Sequence, residues 1–200
     1  MNTKLLIATN NQGKVIELQE ILADLPVELV TPAQIGLVLD VVEDGSTYAE
    51  NASKKALAFA QASGLCSLAD DSGLEVDALG GAPGLYSARY SPKPGAKDAD
   101  RRAYLLENLQ GRPRPWTAHF HATIAIATPQ GGLYFAEGDC PGEIIPEERG
   151  MGGFGYDPLF LLTELGRTMA ELPPQEKNRL SHRGRAALAA RPILLGLFEK

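Results

Sequence analysis

"LADDSGLEVDALGGAPGLYSARY", Leu68 to Tyr90, sets two aspartates behind a short apolar run, then turns to glycine and proline before it reaches an arginine. The five residues "LCSLA", Leu65 to Ala69, read as a short buried strand, which places Asp70 and Asp71 at its exit. Carboxyl ends of strands are where α/β proteins hold their ligands. Neighbours on an extended chain point to opposite sides, so one aspartate faces a ligand while the other braces the turn or a nearby group. The plainer alternative is that both cap the "DSG" turn. In "ALGGAPG" glycine lets a ligand approach the main chain and Pro83 fixes a dihedral, so the loop is shaped rather than loose. Such a loop could carry Tyr86 and Arg89 beside the carboxylates or into a subunit contact, though a structural turn has the same composition.

Upstream, "KLLIAT" (Lys4 to Thr9) reads as a buried strand, and Val15, Leu18, Leu22 and Leu25 recur at helical spacing. The turn "NNQGK" therefore joins a strand end to a helix start, where unpaired backbone N–H groups and Lys14 would welcome an anion. An ordinary β–α turn with a surface lysine is the alternative, and the stretch lacks the spacing of a Walker loop. "EDGSTYAENASKKALAFAQASG" (Glu43 to Gly64) encodes a second helix, with Thr47 and Glu50 at capping-box spacing and Gly64 past its end.

Downstream, "DRRAYLLENL" is helical, and "TAHFHATIAIAT" and "GLYFAEGD" form a hairpin through "PQGG". "ERGMGGFGYDPLF" packs glycines around two aromatics and an aspartate. "QEKNRLSHRGRAALAA" reads as one helix, with Leu180, Gly184, Ala187 and Leu188 on one side, ending before Pro192.

At 200 residues and 44% hydrophobic content the chain can bury one sizeable core, or one core with a second lobe folded onto it, and we expect one domain over 1–200. A net charge of −6 argues against a protein that grips polymeric nucleic acid, which leaves a basic footprint. It still allows a small polyanion, given a local basic cluster or a divalent metal on its carboxylates. No apolar run is long enough for a membrane helix, so a soluble, cytoplasmic protein with Cys66 and Cys140 as free thiols is expected.

One aspartate alone makes a poor magnesium site. Magnesium on a nucleotide takes one or two protein carboxylates, and Glu43, before the second helix, is the candidate partner. Arg179, His182 and Arg183 share a face of the last predicted helix, with Lys177 just ahead, as a solvated basic face or as donors to a phosphate or keto oxygen. Phe154 and Tyr156 either pack in the core or stack on a base. His119 and His121 face one way along a strand, but no third metal ligand lies nearby. No motif for covalent catalysis is present. Metal, carboxylate, lysine and arginine together make equipment for phosphoryl transfer.

In this order, "TNNQGK", "EDGSTYAENASKKA", "ADDSGLEVDALGGAPGLYSARY", "GGFGYDPLF" and "EKNRLSHRGRA" resemble the five signature blocks of the inosine/xanthosine triphosphate pyrophosphatase family, covering nearly the whole chain. The aspartate block is close to bacterial members residue for residue. The resemblance implies an α/β fold with a long mixed central sheet flanked by helices, and two lobes with a cleft between them. It also implies a magnesium-dependent homodimer that hydrolyses dITP, ITP and XTP to the monophosphate and pyrophosphate, keeping aberrant bases out of DNA and RNA. Carried over by position, Thr9, Asn10, Asn11, Gln12, Gly13 and Lys14 would hold the phosphate end. Glu43 and Asp71 would bind metal, with Asp71 also the proton acceptor, although Asp70 stands as its rival for that role. Ser72 would touch substrate, and Lys55 would neutralise phosphate, with Lys54 beside it as the competing lysine. Phe154, Gly155, Tyr156, Asp157, Lys177, His182 and Arg183 would form the nucleobase pocket. Asn10 stands where some members have glycine, and asparagine tolerates the left-handed backbone such a turn can require.

Overall fold

Leu5, Leu6 and Ile7 are fully buried, so β1 (Lys4–Ile7) is apolar on both faces, as a central parallel strand must be. In the computed structural model, which describes residues 3–198, β1 pairs in parallel with β2 (Glu28–Val30) on one side and β3 (Cys66–Val76) on the other. The sheet continues through β4 (Trp116–Ala127), β5 (Leu133–Ile144), β6 (Phe160–Leu162) and β7 (Arg167–Thr168), in the order β2-β1-β3-β4-β5-β6-β7. The β5–β6 and β6–β7 pairings are antiparallel, so the expected mixed central sheet is present.

The chain divides into two compact units. One holds the residues up to Asp71, Ala122–Gly138 and the chain from His182 onward; the other holds Ser72–His121 and Asp139–Ser181. In the first unit, Leu5 and Ile7 pack with Leu18 and Leu22 and with Ala186, Ala190 and Leu194. These come from α1 (Gln12–Ile21) with the turn after it, and from α5 (His182–Phe198). Leu6 and Ala8, pointing the other way, pack with Ala52, Ala56, Phe59 and Ala60 of α2 (Tyr48–Ser63). The period-two alternation of β1 thus assigns α1 and α5 to one face and α2 to the other.

The second unit gathers Leu74, Val76, Trp116, Phe120, Phe160 and the buried side of α3 (Asp98–Leu109) around its own core. The Phe120 and Phe160 rings lie 4.6 Å apart, within the range of favourable aromatic pairs.

The sequence-based starts of α1 and α2 are borne out. Asn11 caps α1 by accepting the Lys14 N–H, Thr47 caps α2 by accepting the Glu50 N–H, and Gly64 closes α2 with a left-handed φ of 68°. Three expectations are corrected. The strand expected to end at Ala69 continues to Val76, because Leu74 and Val76 are buried in the core of the second unit, so Asp70 and Asp71 sit mid-strand rather than in a turn. The single helix expected over 175–190 is two: α4 (Pro174–Leu180) and α5 meet at Ser181, whose backbone is extended. Serine favours the residue just outside a helix start. Arg179 therefore lies on a different helix from His182 and Arg183, and the expected three-residue basic face does not form. Pro192, expected to stop the helix, is absorbed within α5, whose flanking Ala190 and Leu194 are fully buried.

Candidate active site

The two aspartates diverge as the pleat requires. Asp70 is 1% exposed, and its Oδ2 accepts from Arg183 Nε at 2.6 Å and stands 3.4 Å from Lys14 Nζ. Arg183 turns its Nη1 to Glu17 Oε2, also at 2.6 Å. Glu17 lies one helical turn beyond Lys14 on α1, so this helix sends an ammonium and a carboxylate into one buried network. Burial alone would raise the Asp70 carboxyl, but Arg183, Lys14 and Lys55 outweigh it and hold the group well below the usual carboxylate range. Asp70 Oδ1 is buried without a hydrogen-bond partner among the described residues.

Asp71 meets α2 instead. Its Oδ2 accepts from Asn51 Nδ2 at 3.1 Å, and its Oδ1 lies 3.6 Å from Lys55 Nζ. Lys55 donates to Glu43 Oε2 at 2.8 Å and to the Asp70 carbonyl at 2.9 Å. Lys54, one residue earlier, points to the surface and pairs with Asp44, so Lys55 is the lysine of this cluster. Burial pushes the Asp71 carboxyl up and the Glu43 carboxylate adds to that, against the pull of Lys55, Lys14 and Asn51. Glu43 is also desolvated, but its hydrogen bond to Lys55 wins and lowers it. For Lys14, burial is the main cause of a lowered pKa, with Arg183 and Lys55 adding to it.

The fit to a divalent cation follows from the charges. Glu17, Glu43, Asp70 and Asp71 bring four carboxylates to this network and Lys14, Lys55 and Arg183 bring three cations, which leaves an excess of negative charge. Glu43 and Asp71 converge on one ammonium, and the rest of a magnesium shell is ordinarily phosphate and water. No three His, Cys, Asp or Glu side chains among the described residues form a group that could hold a metal ion by themselves.

The second unit carries a separate polar constellation. Lys177 on α4 is buried, donates to Asp157 Oδ2 at 2.5 Å, and stands 4.9 Å from the centre of the half-buried Phe154 ring. The Phe154 N–H donates to the same Asp157 oxygen at 2.8 Å. A side chain at Gly153 would collide with that carboxylate, its Cβ only 2.1 Å from Oδ2, so glycine is required by the approach as well as by a φ of 69°. The loop is tied to α3, where Asp98 accepts the Gly155 N–H at 2.7 Å and Arg102 donates to the Gly155 carbonyl at 2.9 Å.

Tyr156 corrects an expectation. Its ring is 4% exposed within the core and its hydroxyl donates to the Ser87 carbonyl, so it offers no open face to a base. Core packing wins because Tyr156 and the fully buried Leu159 join the same hydrophobic cluster.

The remaining expected residues fall as follows. Thr9 accepts the Asn11 N–H, and Asn10, Asn11 and Gln12 are exposed, with Gly13 partly buried, at the start of α1. Ser72 is partly buried in β3. His182 is buried at the first turn of α5 and belongs, with Arg183, to the first unit. His119 and His121 pair with separate carboxylates, Glu75 and Asp139. Two members of the buried network, Glu17 and Asn51, escape sequence reasoning. The only signals were the helical offset of Glu17 from Lys14 and the place of Asn51 beside the cap residue Glu50.

The fold is a mixed α/β sheet that buries two adjacent carboxylates among lysines and an arginine. The Ham1 family model matches residues 5–193, and the chain belongs to that family. It is 50% identical over 196 residues to a dITP/XTP pyrophosphatase of Desulforamulus reducens, covering 98% of this chain and 97% of that protein. Identity is 51% over 182 residues to a dITP/XTP pyrophosphatase of Desulfotalea psychrophila, covering 91% and 81%. Among solved structures, a HAM1 protein from Coxiella burnetii aligns with a TM-score of 0.86 and 41% identity, over 99% of this chain and 100% of that one.

Proposed function

We infer that the chain hydrolyses aberrant purine nucleoside triphosphates, dITP, ITP and XTP, to the monophosphate and pyrophosphate, which cleanses the nucleotide pool. The observation that carries this is the Asp71–Lys55–Glu43 cluster beside Lys14, in a chain half identical over its length to proteins of that activity.

Asp71 accepts a proton from the attacking water, whose oxygen forms a bond to the α-phosphorus. The bond from that phosphorus to the bridging oxygen breaks, and Lys14 and Lys55 stabilise the charge on the departing pyrophosphate. Asp70 is the weaker candidate for the base, because its carboxylate is committed to Arg183. Glu43 and Asp71 would hold magnesium, which when bound neutralises and orients triphosphate oxygens. Thr9 to Lys14 receive the phosphate end, and Ser72 contacts the substrate.

The nucleobase is assigned to the second unit's constellation. Phe154 supplies a stacking face. Lys177 supplies donors for a 6-keto oxygen, and the Asp157 carboxylate is an acceptor for the N1–H that hypoxanthine and xanthine carry. Adenine reverses both patterns and leaves such groups unpaired, which costs about 1–3 kcal/mol per buried group.

We further propose that residues 1–200 work as one pyrophosphatase domain, as a homodimer in the cytoplasm, with no role in binding polymeric nucleic acid. Free Cys66 and Cys140 suit a reducing compartment, and no helix among the described residues is long and apolar enough to cross a membrane. Light scattering tests the dimer directly, with a mass near 21.4 kDa contradicting it. The function is tested by measuring pyrophosphate release from dITP, XTP, dATP, dGTP and dTTP with and without magnesium. Turnover of dITP and XTP well above that of dATP and dTTP is expected, whereas preference for a pyrimidine would overturn the base assignment.

A further inference from the structure

Asn51 is 1% exposed and spends its amide in two directions. Its Oδ1 accepts the Gly45 N–H at 2.8 Å, and its Nδ2 donates to Asp71 Oδ2 at 3.1 Å. A backbone N–H can only donate, so the Gly45 contact fixes which end of the amide faces Asp71. Gly45 lies two residues after Glu43, and a side chain there has no room. Its Cβ would stand 2.7 Å from Asn51 Oδ1 and 2.8 Å from Glu50 Cβ. The start of α2 is served without Asn51: Thr47 Oγ1 accepts the Glu50 N–H at 3.1 Å, and Glu50 Oε2 accepts the Ser46 N–H at 2.7 Å. The Asn51 amide is therefore left to tie the Glu43 loop to the Asp71 carboxylate.

We propose that Asn51, with Gly45 as its close-packed partner, is a positioning residue that sets the Asp71 carboxylate and the Glu43 loop in the arrangement that lets both engage one divalent cation. The inference rests on the assignment of this cluster as the hydrolytic centre. One amide oriented from both ends holds the strand carboxylate and the loop carboxylate in register, while Lys55 alone would hold each only by a flexible ammonium. Groups that orient metal-binding carboxylates typically change activity or metal affinity by about 10- to 100-fold when removed.

The test compares Asn51→Ala, Asn51→Asp, Gly45→Ala and a control, Thr47→Ala, which removes the helix cap without touching Asp71. Three readouts are taken: kcat and KM for dITP, manganese affinity by electron paramagnetic resonance without nucleotide, and thermal unfolding. Asn51→Ala and Gly45→Ala are expected to lower kcat by about 10- to 100-fold with little change in KM, and to weaken manganese binding in the same range. Asn51→Asp keeps the shape and the acceptor for Gly45 but loses the donor, and is expected to lower kcat comparably. Thr47→Ala lowers the melting temperature and keeps kcat and manganese affinity, which separates positioning from mere stability. Folded Asn51→Ala and Asn51→Asp proteins with kcat and, for the alanine variant, manganese affinity near wild type would overturn the proposal. Should wild type turn over none of the nucleotides, the assigned reaction fails. The manganese titration then still decides, with weakening in both Asn51→Ala and Gly45→Ala supporting the tie and unchanged affinity sinking it.

Discussion

Asp70 and Asp71 are neighbours with opposite chemistry, and burial does not separate them, since both are less than a tenth exposed. Their partners do: Asp70 faces Arg183 and Lys14, which hold it ionised, whereas Asp71 faces an amide and shares Lys55 with Glu43. Asp71→Asn is expected to lower kcat by about 10²–10⁴-fold, the usual reach of a general base, with the fold retained by circular dichroism. Asp70→Asn is expected to act on stability as well, because it strips a partner from a buried guanidinium; the loss is about 3 kcal/mol at pH 7, read by urea unfolding. An unfolded aspartate titrates near 3.9 and the folded Asp70 lies below that, so its contribution is complete above about pH 5 and is lost as pH falls below about 4. The gap between wild type and Asp70→Asn should begin to narrow in that acid range. Sequence alone placed the pair on opposite sides of an extended chain. It could not say which side held the arginine, because Arg183 is 113 residues away.

Elements with strong local punctuation were legible. The Thr47 cap and Gly64 terminus of α2, the apolar run of β1 and the hairpin turn between β4 and β5 all follow from residues adjacent in sequence. Thr47→Ala is expected to cost about 1 kcal/mol of stability in chemical denaturation, as removal of a capping hydroxyl does elsewhere. Where elements departed from expectation, tertiary packing overrode a local signal. "DSG" has turn chemistry yet continues a strand whose Leu74 and Val76 are buried in a core, and Pro192 lacks an N–H yet stays helical where α5 is anchored by Ala190 and Leu194. The Ser181 break matters most for function, since it assigns Lys177 to one compact unit and Arg183 to the other.

For the whole molecule, five blocks in order pointed to the family that the match over residues 5–193 confirms, and no helix among the described residues is long and apolar enough to cross a membrane. The candidate site was legible as a set of residue types, but its wiring was not: Glu17, Asn51 and the burial of Arg183 depend on contacts between distant segments. Base selection is expected to depend on the second unit. Lys177→Met should lower kcat/KM for dITP by about 5- to 150-fold, the loss of one buried donor at 1–3 kcal/mol, and narrow the preference over dATP.

The central claim is that the cluster around Asp71 cuts the bond between the α- and β-phosphates, and product analysis of dITP hydrolysis with magnesium, for wild type and Asp71→Asn in parallel, tests it most directly. The account predicts equal amounts of dIMP and pyrophosphate from wild type and almost none from the variant. Release of orthophosphate and dIDP, or wild-type turnover by Asp71→Asn, would contradict it.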